Sequence, residues 1–198
     1  METSPRLVLA SGSPRRKELL AQVGLDFAVE VSGVDETLRA GETPRAHTRR
    51  LARAKASAVA ERRPGEWILG ADTTVVIDGK ILGKPRDAAD AARMLRMIGG
   101  RWHVVFTSFC LMNAGDPRSV EETAESRVFF RALTGAEIRW YIASGEPMDK
   151  AGAYAVQGIG AALVQRIEGS YTNVVGLPLA ETVTALERLG VLRLTGEA

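Results

Sequence analysis

Four short stretches concentrate the residue types that do chemistry. In ASGSPRRKELL, Ala10 to Leu20, an apolar run ends and a helix opens. Ser13 is a good N-cap, and Pro14 fits the first helical position, where its missing N–H is not needed. The helix N-terminus is the positive end of the macrodipole and favours acids, yet Arg15 and Arg16 occupy the first turn. Backbone N–H groups, the hydroxyls of Ser11 and Ser13 and two guanidiniums are thus brought into one small volume. Such a start is unfavourable unless an anion binds there, and phosphate is the natural candidate. The plainer reading spends the arginines on surface salt bridges to Glu18 and other acids. Neither G-x-x-x-x-G-K-[ST] nor G-x-G-x-x-G is present in this loop.

ILGADTTVV, Ile68 to Val76, delivers Asp72, Thr73 and Thr74 from an apolar strand. A carboxylate at a strand end can hold a divalent cation or take a proton from water. A turn aspartate bonded to its own backbone is the structural alternative. LGKPRDAADA, Leu82 to Ala91, sets Lys84 and Arg86 on either side of Pro85. Lys84 is there a point charge for a phosphate, or simply an exposed loop residue. DKAGAYAVQGIGA, Asp149 to Ala161, surrounds Tyr154 and Gln157 with small residues that let backbone approach a ligand. The Gln157 amide offers a donor and an acceptor, as reading a base edge requires; an ordinary glycine-rich connection is the alternative. EGSYTNVVGLP, Glu168 to Pro178, sets polar groups before a helix entry.

The intervening pattern predicts the elements that hold these stretches. Leu7 to Ala10 reads as a buried strand, Pro14 to Val23 as a helix stopped by Gly24, and Phe27 to Val31 as a strand. Thr43-Pro44 starts a helix to about Arg63, with Ala46, Leu51, Ala54, Ala58 and Val59 on its apolar side and Lys55 close to it. Trp67 to Ala71 and Thr74 to Ile77 are strand-like, and Asp78-Gly79 signals a hairpin. Asp87 caps a helix over Ala88 to Ile98. Trp102 to Met112 and Val120 to Leu133 are long strands joined by the polar turn Asn113 to Ser119. Thr134-Gly-Ala-Glu137 is a capping box for a helix to Ser144. Ala161 to Ile167 is a strand and Leu177 to Leu189 the last helix. Strands and helices mix without a steady βαβ alternation, which predicts an α/β fold on a mixed, twisted sheet.

Composition narrows the function classes. Of 198 residues, 45% are hydrophobic and 25% charged, the balance of an ordinary globular domain. A net charge of +2 lacks the concentrated basic face of a nucleic-acid binder. The single cysteine, Cys110, allows no internal disulfide and lies in an apolar strand, as a core residue would. His47 and His103 lack neighbours at metal-ligand spacing. No apolar run reaches membrane-spanning length, and Met1 to Arg6 shows no signal-peptide pattern, so a cytoplasmic protein is expected.

Together and in this order, LASGSPRRKELL, LARAKA (Leu51 to Ala56), GADTTVV, GKPRDAADAARML, DKAGAYAVQG and GSYTNVVGLPL resemble the Maf family of nucleoside triphosphate pyrophosphatases. The resemblance runs from Leu9 to Leu179. It implies one domain over residues 1–198 with an inosine triphosphatase-like fold: flanking helices and a bent sheet in two lobes around a nucleotide cleft. It also implies the reaction, in which water attacks the α-phosphorus and pyrophosphate leaves with a divalent ion bound. Mg²⁺ is the expected ion, with Mn²⁺ or Co²⁺ as the other options. Asp72 resembles the family's proton acceptor and would share the metal. Glu36, in GVDET, matches an acidic position that would help hold it, with Asp35 beside it as the other register. Ser11, Ser13, Arg16, Lys55 and Lys84 would cradle the triphosphate.

Three positions choose the branch. Arg15, Thr73 and Gln157 fit the branch similar to dTTP/UTP pyrophosphatases, whereas the branch acting on 7-methyl-GTP carries an aromatic, Gln and Glu there. A cationic methylated guanine suits a carboxylate and a stacking ring; a neutral pyrimidine edge suits an amide. The expected function is therefore house-cleaning hydrolysis of dTTP and UTP, extending to CTP and modified pyrimidine nucleotides. The alternatives are 7-methyl-GTP or modified purines as substrate, or a non-catalytic septum-formation regulator that binds nucleic acid or protein. A homodimer is what the resemblance implies; membrane association is not expected.

Overall fold

Leu7, Val8 and Leu9 are buried on both faces, as a strand with neighbours on either edge and helices above and below should be. In the computed structural model, which describes residues 7–193, they form β1 (Leu7–Leu9). Met1–Arg6, on which the leader-peptide expectation rests, lie outside the described residues. Next come α1 (Pro14–Gln22), β2 (Phe27–Val29), α2 (Pro44–Ala60), β3 (Trp67–Ile77), β4 (Lys80–Leu82), α3 (Ala88–Ile98), β5 (Trp102–Asn113) and β6 (Asp116–Phe130). The chain ends with α4 (Gly135–Ala143), three short 3-10 turns (Glu146–Asp149, Ala151–Ala153 and Gly158–Leu163), β7 (Val164–Glu168), α5 (Tyr171–Val175) and α6 (Leu179–Arg188). The seven-stranded sheet has the order β2-β1-β3-β5-β6-β7, with β4 also on β3. It is mixed: β1 runs parallel to both β2 and β3, while β4 and β7 pair antiparallel with β3 and β6. The expected mixed α/β architecture is the observed one.

The chain forms two compact units. The first takes residues up to Asp72, Thr107–Thr123, and Gly176 onward. Its core includes Val8, Ala52, Ala56, Val59, Ile68 and Cys110. The second takes Thr73–Phe106 and Ala124–Val175, with a core built on Val75, Leu95, Ile98, Phe130, Tyr141 and Leu163.

Local chemistry explains most boundaries. Thr43 Oγ1 accepts from the Ala46 N–H and caps α2. Asp87 does the same for α3 through the Asp90 N–H. Thr134 and Glu137 complete a reciprocal capping box on α4. Asp78 and Gly79 both have positive φ, 50° and 71°, as the tight turn of the β3–β4 hairpin needs. Three expectations are corrected. β3 is one continuous strand, not two. β7 starts at Val164, because Gly158–Leu163 form 3-10 turns instead of extended chain. The buried face of α2 is set by Thr48, Leu51, Ala52, Lys55, Ala56 and Val59, while Ala46 is exposed.

Candidate active site

The first unit brings Lys55 and Asp72 together through a glycine. Gly70 and Asp72 are two residues apart on β3, so their side-chain positions share one face of the strand. α2 crosses that face. A Cβ on Gly70 would sit 2.6 Å from the Ala56 N and would also run into the Ala52 carbonyl oxygen. Only glycine lets the helix backbone come so close. Lys55 lies between those two helix residues, and its Nζ donates to Asp72 Oδ1 at 2.7 Å. Both side chains are 9% exposed. A lysine on the buried face of a helix needs such a partner.

The same ammonium reaches Glu36 Oε1 at 2.8 Å, at the rim, where the Glu36 side chain is 59% exposed. Two carboxylates therefore converge on one cation position. The neighbouring acid does something else: Asp35 Oδ1 accepts from the Thr37 N–H at 2.9 Å and from Thr37 Oγ1 at 2.6 Å. Glu36 is thus the acid that meets Lys55. The loop carrying it has no regular structure, and α2 grips it a second time. Arg50 donates to both Glu42 oxygens, at 2.6 and 2.9 Å, and to the Thr37 carbonyl at 3.0 Å. Arg50 holds the Glu42 carboxyl far below its ordinary range; burial opposes this, and His47 adds to it. Sequence reading missed this clamp. Its signal was the spacing of Arg50 and Lys55, five residues apart on one helix and both directed at the loop over residues 36–42.

At the start of α1, Ser13 occupies the cap position without a side-chain cap bond, and the first turn holds no acid. Ser11 Oγ accepts from the Ser13 N–H at 3.2 Å and from Arg16 Nη1 at 3.0 Å. With both lone pairs used, its remaining capacity is as a donor. Arg16 is not a surface residue. It is buried, and its Nε donates to the Gly176 carbonyl at 2.8 Å. Burial lowers its pKa, the negative charges of Asp72 and Glu36 oppose that, and Arg15 lowers it further. Arg15 itself is half-buried.

The second unit holds the other expected residues. Thr73 follows Asp72 on β3 and is half-buried. Lys84 is exposed and has no acidic partner among the described residues. Its loop is pinned to the glycine-rich segment, because Gly83 O accepts from the Gly152 N–H at 3.0 Å. Gly152 has φ 71° and packs on Val75, where a Cβ would come within 2.9 Å. Gln157 is half-buried on extended backbone, and its amide has no protein partner among the described residues. Lys150, also within a singled-out stretch, is spent locally on the Glu146 carbonyl and Asp149, both at 2.6 Å.

No group of three His, Cys, Asp or Glu side chains suited to a metal occurs among the described residues. A cation at this site would have Asp72 and Glu36 as its protein ligands. That fits an ion such as Mg²⁺, which commonly takes one or two carboxylates and completes its shell with water and substrate phosphates. The Lys55 ammonium already marks a position where both acids accept a positive charge. His103 is turned to Tyr154, with Nε2 2.7 Å from the phenol oxygen. Cys110 is fully buried, which pushes its thiol up to about 12. No helix among the described residues is long and apolar enough to cross a membrane.

A helix start with uncapped N–H groups and a buried guanidinium, beside a lysine joined to two acids, defines a candidate phosphate-handling hydrolytic site on an α/β fold. The family described as Maf-like protein matches residues 6–189, and the chain belongs to this Maf family. A curated relative from Myxococcus xanthus (strain DK1622), named dTTP/UTP pyrophosphatase, is 55% identical over 185 residues, 93% of each chain. One from Geotalea uraniireducens (strain Rf4), with the same name, is 51% identical over 192 residues, 97% of this chain and 99% of its own. Among solved structures, a HAM1 protein from Coxiella burnetii shares the fold. Its TM-score is 0.54 at 15% identity, covering 93% of this chain and 99% of that one.

Proposed function

We propose that this protein hydrolyses dTTP and UTP to the monophosphate and pyrophosphate, with CTP and modified pyrimidine nucleotides as further substrates. The observation that carries the reading is Lys55 bonded to Asp72 at 2.7 Å and Glu36 at 2.8 Å, in the unit that also buries Arg16. The names and high identity of the curated relatives support the substrate class.

Asp72 Oδ1 is taken by Lys55, and Oδ2 has no hydrogen-bond partner among the described residues. Oδ2 is the atom that takes a proton from water as its oxygen bonds to the α-phosphorus. The bond from that phosphorus to the bridging oxygen breaks, and pyrophosphate leaves with the electron pair. Ser11 and Ser13 donate to phosphate oxygens, and Arg15, Arg16, Lys55 and Lys84 offset their charge. Catalysis of this kind is mostly positioning and charge stabilisation. Asp72 and Glu36 would hold the divalent cation, and Mg²⁺ is the ion this donor set suits. When bound, it supplies charge neutralisation to the leaving pyrophosphate. Gln157, aided by Arg15 and Thr73, selects the neutral pyrimidine edge. The protein acts as a cytoplasmic homodimer of single-domain chains.

A substrate panel tests this. Purified protein with Mg²⁺ meets dTTP, UTP, CTP, 7-methyl-GTP and ITP, with Asp72→Asn alongside. Turnover of dTTP and UTP to monophosphate and pyrophosphate, lost in the variant, is the expected result. Preference for 7-methyl-GTP contradicts the base assignment. Absence of turnover on every nucleotide contradicts the enzyme reading.

A further inference from the structure

Gln157 lies where a buried stretch, Tyr154 to Val156, runs out to exposed Gly158 and Ile159, and Gly158 has φ 62°. The exposed side of this arch has little packing of its own, so contacts from elsewhere must fix its path. Glu146 Oε2 accepts from the Ile159 N–H at 2.9 Å, and Oε1 accepts from the Gly160 N–H at 2.8 Å. Oε1 also accepts from the Tyr141 phenol at 2.8 Å, and that phenol oxygen accepts from the Ala155 N–H at 3.0 Å. One carboxylate and one phenol thus tie both feet of the arch that carries Gln157. The glycines allow this closeness. A Cβ at Gly158 would run into Glu146 Oε2, and one at Gly160 would lie 2.5 Å from the Tyr141 oxygen.

The clamp is itself held. The Glu146 N–H donates to Ser144 Oγ at 3.2 Å, and its carbonyl accepts from Lys150 Nζ at 2.6 Å. Tyr141 is fully buried. Burial acts to raise the Glu146 pKa, but the Gly160, Tyr141 and Ile159 donors, with Lys150 nearby, bring it below the ordinary range. The Glu146 carboxylate is half-buried and accepts three hydrogen bonds, more than a side chain that only fills space would need.

We propose that Glu146 is the positioning residue for substrate selection: through Tyr141 and the amides of Ile159 and Gly160 it fixes the arch that presents the Gln157 amide to the base. This rests on the proposed role of Gln157. Glu146 does not touch substrate. Glu146→Gln keeps the shape but puts an N–H where either Ile159 or Gly160 also donates, so at least one tie is lost.

Two measurements test the proposal. In Glu146→Gln, hydrogen–deuterium exchange at residues 155–160 should quicken about tenfold or more, while α3 keeps its protection. In steady-state kinetics, KM for dTTP and UTP should rise about tenfold, well beyond the fall in kcat, because uniform binding is what a displaced recognition amide loses. In a Gln157→Ala background, Glu146→Gln should add less than about twofold, since the clamp acts through Gln157. Unchanged exchange in the loop overturns the proposal. So does an equal KM effect with and without Gln157, which marks a merely structural acid. If Gln157→Ala impairs dTTP use and Glu146→Gln does not, the clamp alone fails. If the wild-type protein turns over neither dTTP nor UTP, the functional reading fails, and the exchange data still decide the clamp.

Discussion

Replacing Gly70 with alanine should damage the site without touching any charged group. The new methyl carbon would lie 2.6 Å from the Ala56 N and 2.9 Å from the Ala56 Cβ, and against the Ala52 carbonyl as well. Two of these atoms are backbone and cannot rotate away. Ordinary contact needs about 3.5 Å, so α2 must retreat by about 1 Å. Lys55 rides on that stretch of helix, and its 2.7 Å bond to Asp72 opens past hydrogen-bonding distance. Overpacking of this kind costs about 1–3 kcal/mol, and a backbone-on-backbone clash belongs at the upper end. For a chain of this size that is a drop in Tm of roughly 6–12 °C. A displacement of about 1 Å in a positioned catalytic group costs about a hundredfold in rate. Thermal denaturation by circular dichroism and dTTP turnover at a temperature where the variant is folded measure both effects. Gly65→Ala is the control. Gly65 has φ 82° with nothing within 4 Å of its added Cβ, so it should cost only about 1 kcal/mol of backbone strain and leave turnover intact. A Gly70→Ala protein with wild-type Tm and turnover would refute the close-approach argument.

Other perturbations have equally definite outcomes. Lys84→Ala removes an exposed ammonium with no acidic partner among the described residues. It should leave Tm within about 1 °C but weaken triphosphate binding and turnover; unchanged kinetics would remove Lys84 from the phosphate site. Gln157→Glu should weaken use of dTTP and UTP relative to 7-methyl-GTP, and equal dTTP turnover would defeat the amide reading. His103 is buried, its Nδ1 has no partner among the described residues, and burial lowers its pKa from 6.5 to about 4. Above pH 6.5 both folded and unfolded forms are neutral and its contribution is complete. As pH falls from 6.5 towards 4, only the unfolded chain gains the proton, so stability declines by on the order of 3 kcal/mol in all. Urea midpoints at pH 7, 5.5 and 4.5 should show this slope in the wild type and a flatter one in His103→Phe; identical slopes would contradict it.

Sequence patterns reveal an element when its cause is local. The Asp78-Gly79 turn, the Asp87 cap and the Thr134–Glu137 box were legible because the residues that make the bonds lie within three or four positions of each other. β3 looked like two strands because the polar pair Asp72-Thr73 interrupts its apolar run; Asp72 is accommodated there by a tertiary partner, Lys55. α5 was hidden because five residues give no helical period; its start rests on Ser170 Oγ accepting from the Asn173 N–H. The residue types of the candidate site were legible as an excess of cations at a helix start. Their arrangement was not. Nothing local shows Arg16 turning inward to Gly176, 160 positions away. Nor does any local pattern show Glu36 rather than Asp35 meeting Lys55, or Glu146 beneath the Gln157 arch.

The central claim is that water attacks the α-phosphorus of a pyrimidine triphosphate with Asp72 taking the proton. Hydrolysis of dTTP in ¹⁸O-labelled water, with mass analysis of both products, tests it most directly. The account predicts one ¹⁸O in the thymidine monophosphate, none in the pyrophosphate, and loss of the labelled product in Asp72→Asn. Label in the pyrophosphate, or release of orthophosphate, would contradict it.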